Sequence, residues 1–484
     1  MEINYRKLGL KAGLEIHQQL DTEHKLFCNC STQMKEKMIS KEIVRKMHPV
    51  ASELGDIDIA TQYEYLRDRT FYYQTYPKEV CLVELDCEPP HELNMEALDI
   101  TIQIALLLNC EIVDEIQVMR KTITDGSNTS GFQRTMVVGL NGYLKYKGSK
   151  IPITHVSLEE DAAAIVKEEN NNVIYRLSRL GVPLVEIATG ILEDYSPKEI
   201  QDIAFHIGMI CRSTGKVKRG VGSIRQDVNV SIKKGARAEI KGLQELGMLS
   251  TIIENEIKRQ LDMIDKGERI KDETRSVNID GTTRFTRPLP GAGRLYPETD
   301  IKPISIDKNL IKDIKSRLPE PWTNKMIRFK KKLKLSDDLA RQILRSDYLE
   351  LFEKIIKKKV EPSVVASVFV NIIKELEREG INVKIIGEDK FIEIFDYLSK
   401  KKMMKEGIPD ILRYMSENPN AKLPDIIKEL DLKPINMTEL KKIVKDVITQ
   451  PNMELNKAIG IVMSKVRGRI DPQIVIKIVK KKMK

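Results

Sequence analysis

Carboxylates within apolar, strand-like segments are the feature of this sequence that first points to chemistry. Glu15 and His17 lie two residues apart in GLEIH, so their side chains project from the same face of a β-strand. Glu186 is flanked by apolar residues in VPLVEIA, and an acidic triplet at 159–161 ends the run HVSLEED. A buried carboxylate is costly unless it is paired or binds a metal. Together these residues predict a divalent cation site, while a structural role beside buried Arg or Lys stays open.

The residue types indicate which cation such a site would bind. Mg²⁺ prefers oxygen ligands, keeps several waters and usually serves a substrate that contains phosphate. A histidine ligand makes Mn²⁺ acceptable as well. A polar segment at 119–135, MRKTITDGSNTSGFQRT, contains Lys121 and Ser127 and could hold phosphates. A hydrogen-bonded surface loop is the alternative for that segment.

The cysteines suggest a second, weaker metal site. Six cysteines in 484 residues exclude a disulfide scaffold. A zinc site would use Cys28 and Cys30, which form a CxC pair, together with Cys81. The standard CxxC…CxxC spacing is absent, so core packing is the alternative. The fourth zinc ligand would be Cys87, Glu84 or His24.

The elements that must position these residues are predicted from the apolar periodicity. The first 300 residues contain alternating or apolar runs of strand length, separated by glycines. Helical stretches interrupt them, and Ser196 followed by proline is a typical helix N-cap. A link rich in proline and glycine at 287–303 precedes segments with helical periodicity. We therefore predict an α+β protein with a strand-rich domain at 1–303, a helical domain at 304–402 and a helical tail domain at 403–484.

The charge of the chain is unevenly distributed. The net charge is +10, of which residues 401–484 carry +9 and residues 301–400 carry +6, so the first 300 residues carry −5. A basic region of this kind is an electrostatic footprint for a polyanion, although a solvated lysine surface looks similar. No apolar run approaches the ~18 residues of a membrane span, and no secretory signal is recognisable. A cytoplasmic location is therefore expected.

Several common enzyme classes are excluded by missing motifs. The sequence has no GxxxxGK[ST] phosphate loop, no GxGxxG that opens a helix, no GxSxG elbow and no HExxH. A conventional P-loop NTPase, a Rossmann dehydrogenase and an α/β-hydrolase are therefore not expected.

Six longer segments resemble the GatB/GatE family, the kinase–transamidase subunits of tRNA-dependent amidotransferases, and most closely its archaeal GatE branch. The resemblance covers the whole chain, including RPLPGAGRLYPETDI at 287–301 and a YqeY-like tail. It implies a catalytic cradle domain followed by the helical and tail domains. The six segments are GLEIHQQLDTEHKLFCNCST, CLVELDCEPPHELN, TDGSNTSGFQRT, LSRLGVPLVEIAT, GSIRQDVNVSI and AEIKGLQELGMLSTIIENEIKRQ.

One departure from the GatE pattern concerns a missing segment. GatE proteins usually carry an inserted domain, related to part of bacterial aspartyl-tRNA synthetase, before the RPLPGA motif. Only about 25 residues, LDMIDKGERIKDETRSVNIDGTTRFT, fill that position here. The predicted carboxylate site lies outside this segment, so we expect the chemistry to be retained. Selectivity for a particular tRNA is the property that the departure affects.

The resemblance also assigns roles to individual residues. It implies that Glu15, His17, Glu160 and Glu186 bind the catalytic Mg²⁺. Glu159 is the alternative to Glu160, because one sequence does not fix the strand phase. The implied neighbours of the nucleotide or the aminoacyl group are Lys121, Ser127, Arg225, Asp227 and Asn229.

The implied reaction uses ATP to phosphorylate the side-chain carboxylate of glutamate on misacylated Glu-tRNA(Gln), and ammonia then displaces the phosphate to give Gln-tRNA(Gln). The implied partner is a GatD-like, asparaginase-like glutaminase, in a heterotetramer of two subunit pairs. The basic tail, with lysines at 480–482, suits contacts with tRNA phosphates. Two alternatives are a GatB-type subunit with an amidase-like partner and a non-catalytic tRNA-binding protein.

Overall fold

A computed structural model describes residues 4–48, 57, 59–289, 295–450 and 453–483. The middle of the RPLPGAGRLY motif, at 290–294, lies outside the described residues. The chain separates into two compact units, Met1–Pro321 and Trp322–Lys484.

The first unit contains the strands and six helices. The strands are β1 (Lys11–Gln19), β2 (Lys41–Arg45), β3 (Thr70–Thr75), β4 (Glu111–Ile112), β5 (Glu115–Ile116), β6 (Met119–Thr122), β7 (Phe132–Tyr146), β8 (Ser149–Glu160), β9 (Ala164–Glu169), β10 (Asn172–Arg176), β11 (Pro183–Thr189), β12 (Leu192–Glu193), β13 (Ile224–Ser231), β14 (Ala238–Leu243), β15 (Glu273–Val277), β16 (Thr283–Pro288), β17 (Leu295–Pro297) and β18 (Ile304–Ser305). The helices are α1 (Tyr5–Leu8), α2 (Ile59–Leu66), α3 (Met95–Leu107), α4 (Pro197–Ser213), α5 (Leu249–Asp265) and α6 (Lys308–Ser316).

Among the described residues, a twelve-stranded sheet forms the framework of this unit. Its main order is β16-β15-β14-β13-β1-β11-β8-β7-β6-β17, and β1 and β11 lie near its middle. The pairings are antiparallel apart from β14 with β15. A smaller sheet has the order β2-β3-β10-β9. The strand-rich part of the predicted α+β fold is therefore confirmed.

The two faces of the large sheet differ because side chains alternate along each strand. On β1, Leu14 and Ile16 are buried against one face, whereas Glu15 and His17 project from the other. Helix α4 packs on β1, α5 packs on β13, and α3 packs on β7 and β8. The helices cover the apolar face, so the functional side chains collect on the polar face.

Helix α4 begins where the sequence predicted it. The Ser196 side chain accepts a hydrogen bond from the Glu199 backbone N–H, and the Glu199 carboxylate accepts one from the Ser196 backbone N–H. This capping box, with Pro197 at the first helical position, satisfies amide groups that have no partner inside the helix. The predicted N-cap is confirmed.

A tight hairpin occupies the position where the inserted domain was predicted to be missing. Strands β15 and β16 pair antiparallel, and Asn278 and Thr282 close the turn between them. Gly281 has a φ of +81°, a conformation that glycine adopts without strain. The exposed Ile279 lies at the tip of this hairpin.

The second unit is helical. Its helices are α7 (Trp322–Lys331), α8 (Asp337–Arg345), α9 (Leu349–Ile355), α10 (Pro362–Ser367), α11 (Ile373–Arg378), α12 (Glu388–Ser399), α13 (Ile408–Glu417), α14 (Leu423–Glu429), α15 (Met437–Ile448), α16 (Leu455–Lys465) and α17 (Pro472–Lys482). The last three helices share an apolar core that includes Val444, Val462 and Val475. Within the described residues, no helix is long and apolar enough to cross a membrane.

The contacts place residues 304–321 with the sheet, because β18 pairs with β5 and α6 packs on α3. The predicted division of the remaining chain into helical and tail domains stays a prediction. A sheet unit followed by a helical unit confirms the predicted α+β class.

Candidate active site

Three side chains on the polar face form the centre of the candidate site. His17 on β1 lies directly opposite Glu186 on β11, and its Nε2 atom is 3.2 Å from Glu186 Oε2. Glu159 on β8 joins them, since one ligand atom of each residue lies within 4.8 Å of the others. Two carboxylates and one imidazole thus converge from three adjacent strands.

Two cationic side chains neutralise this cluster. The Lys121 ammonium lies 3.7 Å from a carboxylate oxygen of Glu159 and 3.7 Å from one of Glu186. His155, earlier on β8, places its Nε2 atom 3.1 Å from Glu186 Oε1. Glu186 is therefore contacted by a lysine and by two histidines.

The pKa shifts follow from burial and from these contacts. Burial acts to raise the pKa of Glu186, but Lys121, His155 and His17 hold it well below its usual value. Burial and the Glu186 charge raise the pKa of Glu159. Burial acts to lower the pKa of His17, and its bond with Glu186 outweighs that effect, so the pKa is raised. The cluster thus holds protons and a lysine close to its carboxylates.

Glu159 and Glu160 lie on opposite faces of the sheet. Glu159 pairs across the strands with Thr135 and Leu184, in the same row as Glu186. Glu160 instead contacts the Arg134 guanidinium at 3.4 Å, on the face of the buried network. The structure therefore brings Glu159 into the cluster, not Glu160, because successive side chains alternate and an EED sequence offers an acid to either face.

Glu15 lies on the polar face but one row away from the cluster. It is opposite Asp227 on β13 and accepts a hydrogen bond of 3.3 Å from the Asn229 side-chain amide. Lys241 on β14 lies 3.2 Å from Asp227 and 2.8 Å from Glu239. The polar face thus carries a second group of acids around a lysine, next to the first.

The remaining predicted neighbours have different positions. Arg225 lies opposite His17 on the polar face and pairs with the buried Asp161 at 2.8 Å. Ser127 lies in the turn after β6, where its carbonyl accepts a hydrogen bond from the Ala163 N–H. Arg225, Asp227 and Asn229 therefore belong to the polar face, and Ser127 belongs to a turn close to the end of β8.

The donor set of the cluster fits a divalent cation. Glu159 and Glu186 offer carboxylate oxygens, and His17 offers a nitrogen, which together suit Mg²⁺ or Mn²⁺. Lys121 already places a positive charge between the two carboxylates. The residues that would hold the cation are thus His17, Glu159 and Glu186, with Glu15 one row away.

The cysteine side chains converge as a second candidate metal site. Cys28, Cys30, Cys81 and Glu84 offer ligand atoms within 4.8 Å of one another. Cys28 Sγ lies 2.8 Å from Glu84 Oε1, and the buried Lys25 ammonium lies 3.5 Å from the same oxygen.

The structure also chooses among the three alternatives for the fourth zinc ligand. Glu84 lies in the cysteine group, whereas the exposed Cys87 lies beside Arg45. His24 pairs instead with the carbonyl of Asn29. Three thiols and one carboxylate are a ligand set that suits tetrahedral zinc.

Two contributors to the polar face were missed by sequence reasoning. His155 precedes Glu159 by four residues on β8, so strand alternation alone could have placed both on one face. Lys241 was part of a segment that resembled the family, but its position between Asp227 and Glu239 depends on strand register.

Comparison with known families agrees with this site. Residues 10–312 match the family described as the GatB/GatE catalytic domain, and residues 350–483 match the family described as the GatB domain. The chain belongs to the GatB/GatE family. The predicted family resemblance is thereby confirmed, and the whole candidate site lies within the matched catalytic domain.

Similar proteins come from archaea, and each is named as the GatE subunit of glutamyl-tRNA(Gln) amidotransferase. That of Methanocaldococcus jannaschii is 35% identical, and the alignment covers 100% of both chains. Those of Methanococcus maripaludis and Aeropyrum pernix are 34% and 33% identical; their alignments cover 100% of this chain and 99% and 98% of theirs.

The alignment with the Methanocaldococcus protein also bears on the missing segment. It spans 629 positions, which exceeds the 484 residues of this chain by 145. A difference of that size corresponds to a small domain. It agrees with the inference that an inserted domain is absent.

Proposed function

We propose that this chain is the kinase and transamidase subunit of a tRNA-dependent amidotransferase that converts Glu-tRNA(Gln) to Gln-tRNA(Gln). The cluster of His17, Glu159 and Glu186, with Lys121 between the two carboxylates, is the observation that carries the proposal. It lies in the matched catalytic domain, and the similar archaeal proteins are named for this amidotransferase.

The reaction needs an activated carboxylate, because a carboxylate is a poor electrophile. An oxygen of the glutamate side chain attacks the γ-phosphorus of ATP, and ADP leaves. Ammonia then attacks the acyl carbon, and inorganic phosphate leaves. A bound Mg²⁺ would neutralise charge on the phosphates, which phosphoryl transfer requires more than covalent help from the protein.

The chain's own residues have three tasks in this proposal. His17, Glu159 and Glu186 hold the metal, while Glu15, Asp227 and Asn229 line the adjacent row of the polar face. Lys121 moves from the carboxylates to a phosphate oxygen when the metal neutralises them. Arg225 is held in place by Asp161, so it presents a fixed positive charge beside His17.

The ammonia source belongs to a separate subunit in this proposal. We infer a GatD-like, asparaginase-like glutaminase as the partner, in a heterotetramer of two subunit pairs. The GatE names of the similar proteins favour this partner over an amidase-like one. Co-purification with one or the other type of subunit distinguishes the two.

The decisive experiment supplies this chain with Glu-tRNA(Gln), ATP, Mg²⁺ and ammonium chloride, because free ammonia replaces the glutaminase. ATP-dependent formation of Gln-tRNA(Gln) is the expected result, and Glu186→Gln should abolish it while tRNA binding is retained. A purely tRNA-binding protein would give no product with or without a glutaminase subunit, and Glu186→Gln would change nothing. That pair of results would overturn the proposal.

A further inference from the structure

We propose that the glycine-rich loop at 219–223, which leads into β13, binds the phosphates of the nucleotide. This inference rests on the proposed function, in which the polar face uses ATP. The loop has the sequence RGVGS and lies outside every segment to which a phosphate-binding role was assigned above.

Both ends of the loop are tied to β1, immediately beyond His17. The Lys218 backbone N–H donates to the Gln19 carbonyl at 3.0 Å, and the Gln19 N–H donates to the Ser223 carbonyl at 2.9 Å. The Gln18 side-chain amide donates to the carbonyls of Lys218 and Ser223, at 3.0 and 3.1 Å. The base of the loop is therefore fixed to the strand that carries the candidate metal ligand.

The tip of the loop has a different character from its base. Gly220 and Gly222 have φ values of +109° and +81°, and a Cβ atom on either would meet open space. Val221 between them is 99% exposed. Across the described part of the chain, the backbone N–H groups of these three residues donate no hydrogen bond. Three consecutive amides are thus available to an external acceptor.

Phosphate is the acceptor that this arrangement suits. Successive backbone N–H groups in a glycine-rich turn form a concavity that binds anions. Residues 215–224 contain three basic residues and no acidic one, in a unit whose first 300 residues are net acidic. The loop also leads to Arg225, which lies opposite His17. A nucleotide whose phosphates contact the metal cluster would therefore lie within reach of the loop.

The variant that tests this inference is Gly220→Ala with Gly222→Ala. A positive φ is unfavourable for alanine, so the loop should leave its conformation, while the open surroundings spare the fold. The control is Gly148→Ala with Gly267→Ala, because both glycines also have positive φ and open surroundings, in other turns. Circular dichroism and thermal unfolding establish that both variants are folded.

Three measurements follow: the KM for ATP, the affinity for AMP-PNP with Mg²⁺, and the affinity for tRNA. We expect the loop variant to raise the KM for ATP and the Kd for AMP-PNP at least tenfold, with tRNA affinity unchanged and the control within twofold of the wild type. AMP-PNP should also protect the wild-type chain from trypsin at Arg219.

The outcomes separate the two proposals. A wild-type chain that binds no AMP-PNP overturns both the loop assignment and the proposed function. Wild-type activity with an unchanged KM for ATP in the loop variant overturns the loop assignment alone. An unchanged KM with weakened tRNA binding would show that the loop binds RNA phosphate, which also contradicts the inference.

Discussion

Two consecutive glutamates have separate roles at the residue scale, and they provide the sharpest test of the site. Glu159→Gln should lower turnover on the order of 10²–10³-fold, because it removes a metal ligand, with little loss of stability since it relieves repulsion from Glu186. Glu160→Gln should retain the Mg²⁺ dependence. It should cost about 1–3 kcal/mol of unfolding free energy, because the buried Arg134 loses a charged partner.

The measurement is a Mg²⁺ titration of amidation rate for both variants, together with chemical denaturation. The reverse assignment, in which Glu160→Gln loses the metal dependence and Glu159→Gln only the stability, would contradict the observed strand phase. Equal effects of both variants on turnover would mean that the buried network supports the site as strongly as the ligands do.

The cysteine group gives a metal prediction at the same scale. Purified protein should contain about one zinc per chain, and Cys28→Ser should lose most of it, because a thiolate ligand disappears. Cys87→Ser is the matched control, since Cys87 is exposed and lies outside the group. Elemental analysis with a thermal scan checks this. Zinc-free wild-type protein with an unchanged melting temperature in Cys28→Ser would show that the thiols are ordinary core residues.

At the scale of elements, the sequence could place Glu15 and His17 on one face, because both lie in one strand and side chains alternate. It could not choose between Glu159 and Glu160, since neither the strand phase of β8 nor its bulge against β7 is visible in a single sequence. The partnership of His17 with Glu186 depends on pairing between segments that are 169 residues apart. Such register follows from the whole sheet and the helices packed on it, not from local pattern.

Helix packing in the second unit leads to a pH prediction. Glu353 on α9 accepts ion pairs from Arg328 and, at 2.9 Å, from Lys325 on α7. Burial acts to raise the pKa of Glu353, but these cations lower it overall. A lowered folded pKa contributes stability above the unfolded pKa, and that stability is lost as the pH falls through the folded value.

Glu353→Gln should therefore cost about 1 kcal/mol near pH 7, a modest figure because the pair is partly exposed, and the cost should fade towards pH 3. The fluorescence of Trp322, the only tryptophan and a buried residue at the start of α7, reports unfolding of this unit. Glu350→Gln on the exposed side of α9 is the control. A cost that stays constant between pH 7 and pH 3 would exclude an electrostatic origin.

The distribution of charge is the feature that belongs to the whole molecule. The acidic first 300 residues contain the candidate metal ligands, whereas the net positive charge lies in the helical remainder. A metal–nucleotide site and a polyanion-binding surface make opposite electrostatic demands, and separate regions of the chain meet them. The 145 aligned positions absent from this chain lie outside both features, so we expect activity and general tRNA binding without them.

Helix α17 provides the test of that division. Its last turn exposes Lys480, Lys481 and Lys482, and replacing all three by glutamate should weaken tRNA binding and lower the slope of log affinity against log salt by about one per lost phosphate contact. Affinity for AMP-PNP with Mg²⁺ should not change. The control is the same substitution at three exposed lysines of the first unit, Lys145, Lys198 and Lys266. A tRNA affinity and salt slope equal to those of the wild type would assign RNA binding to another surface, and a larger effect of the control would place that surface on the sheet unit.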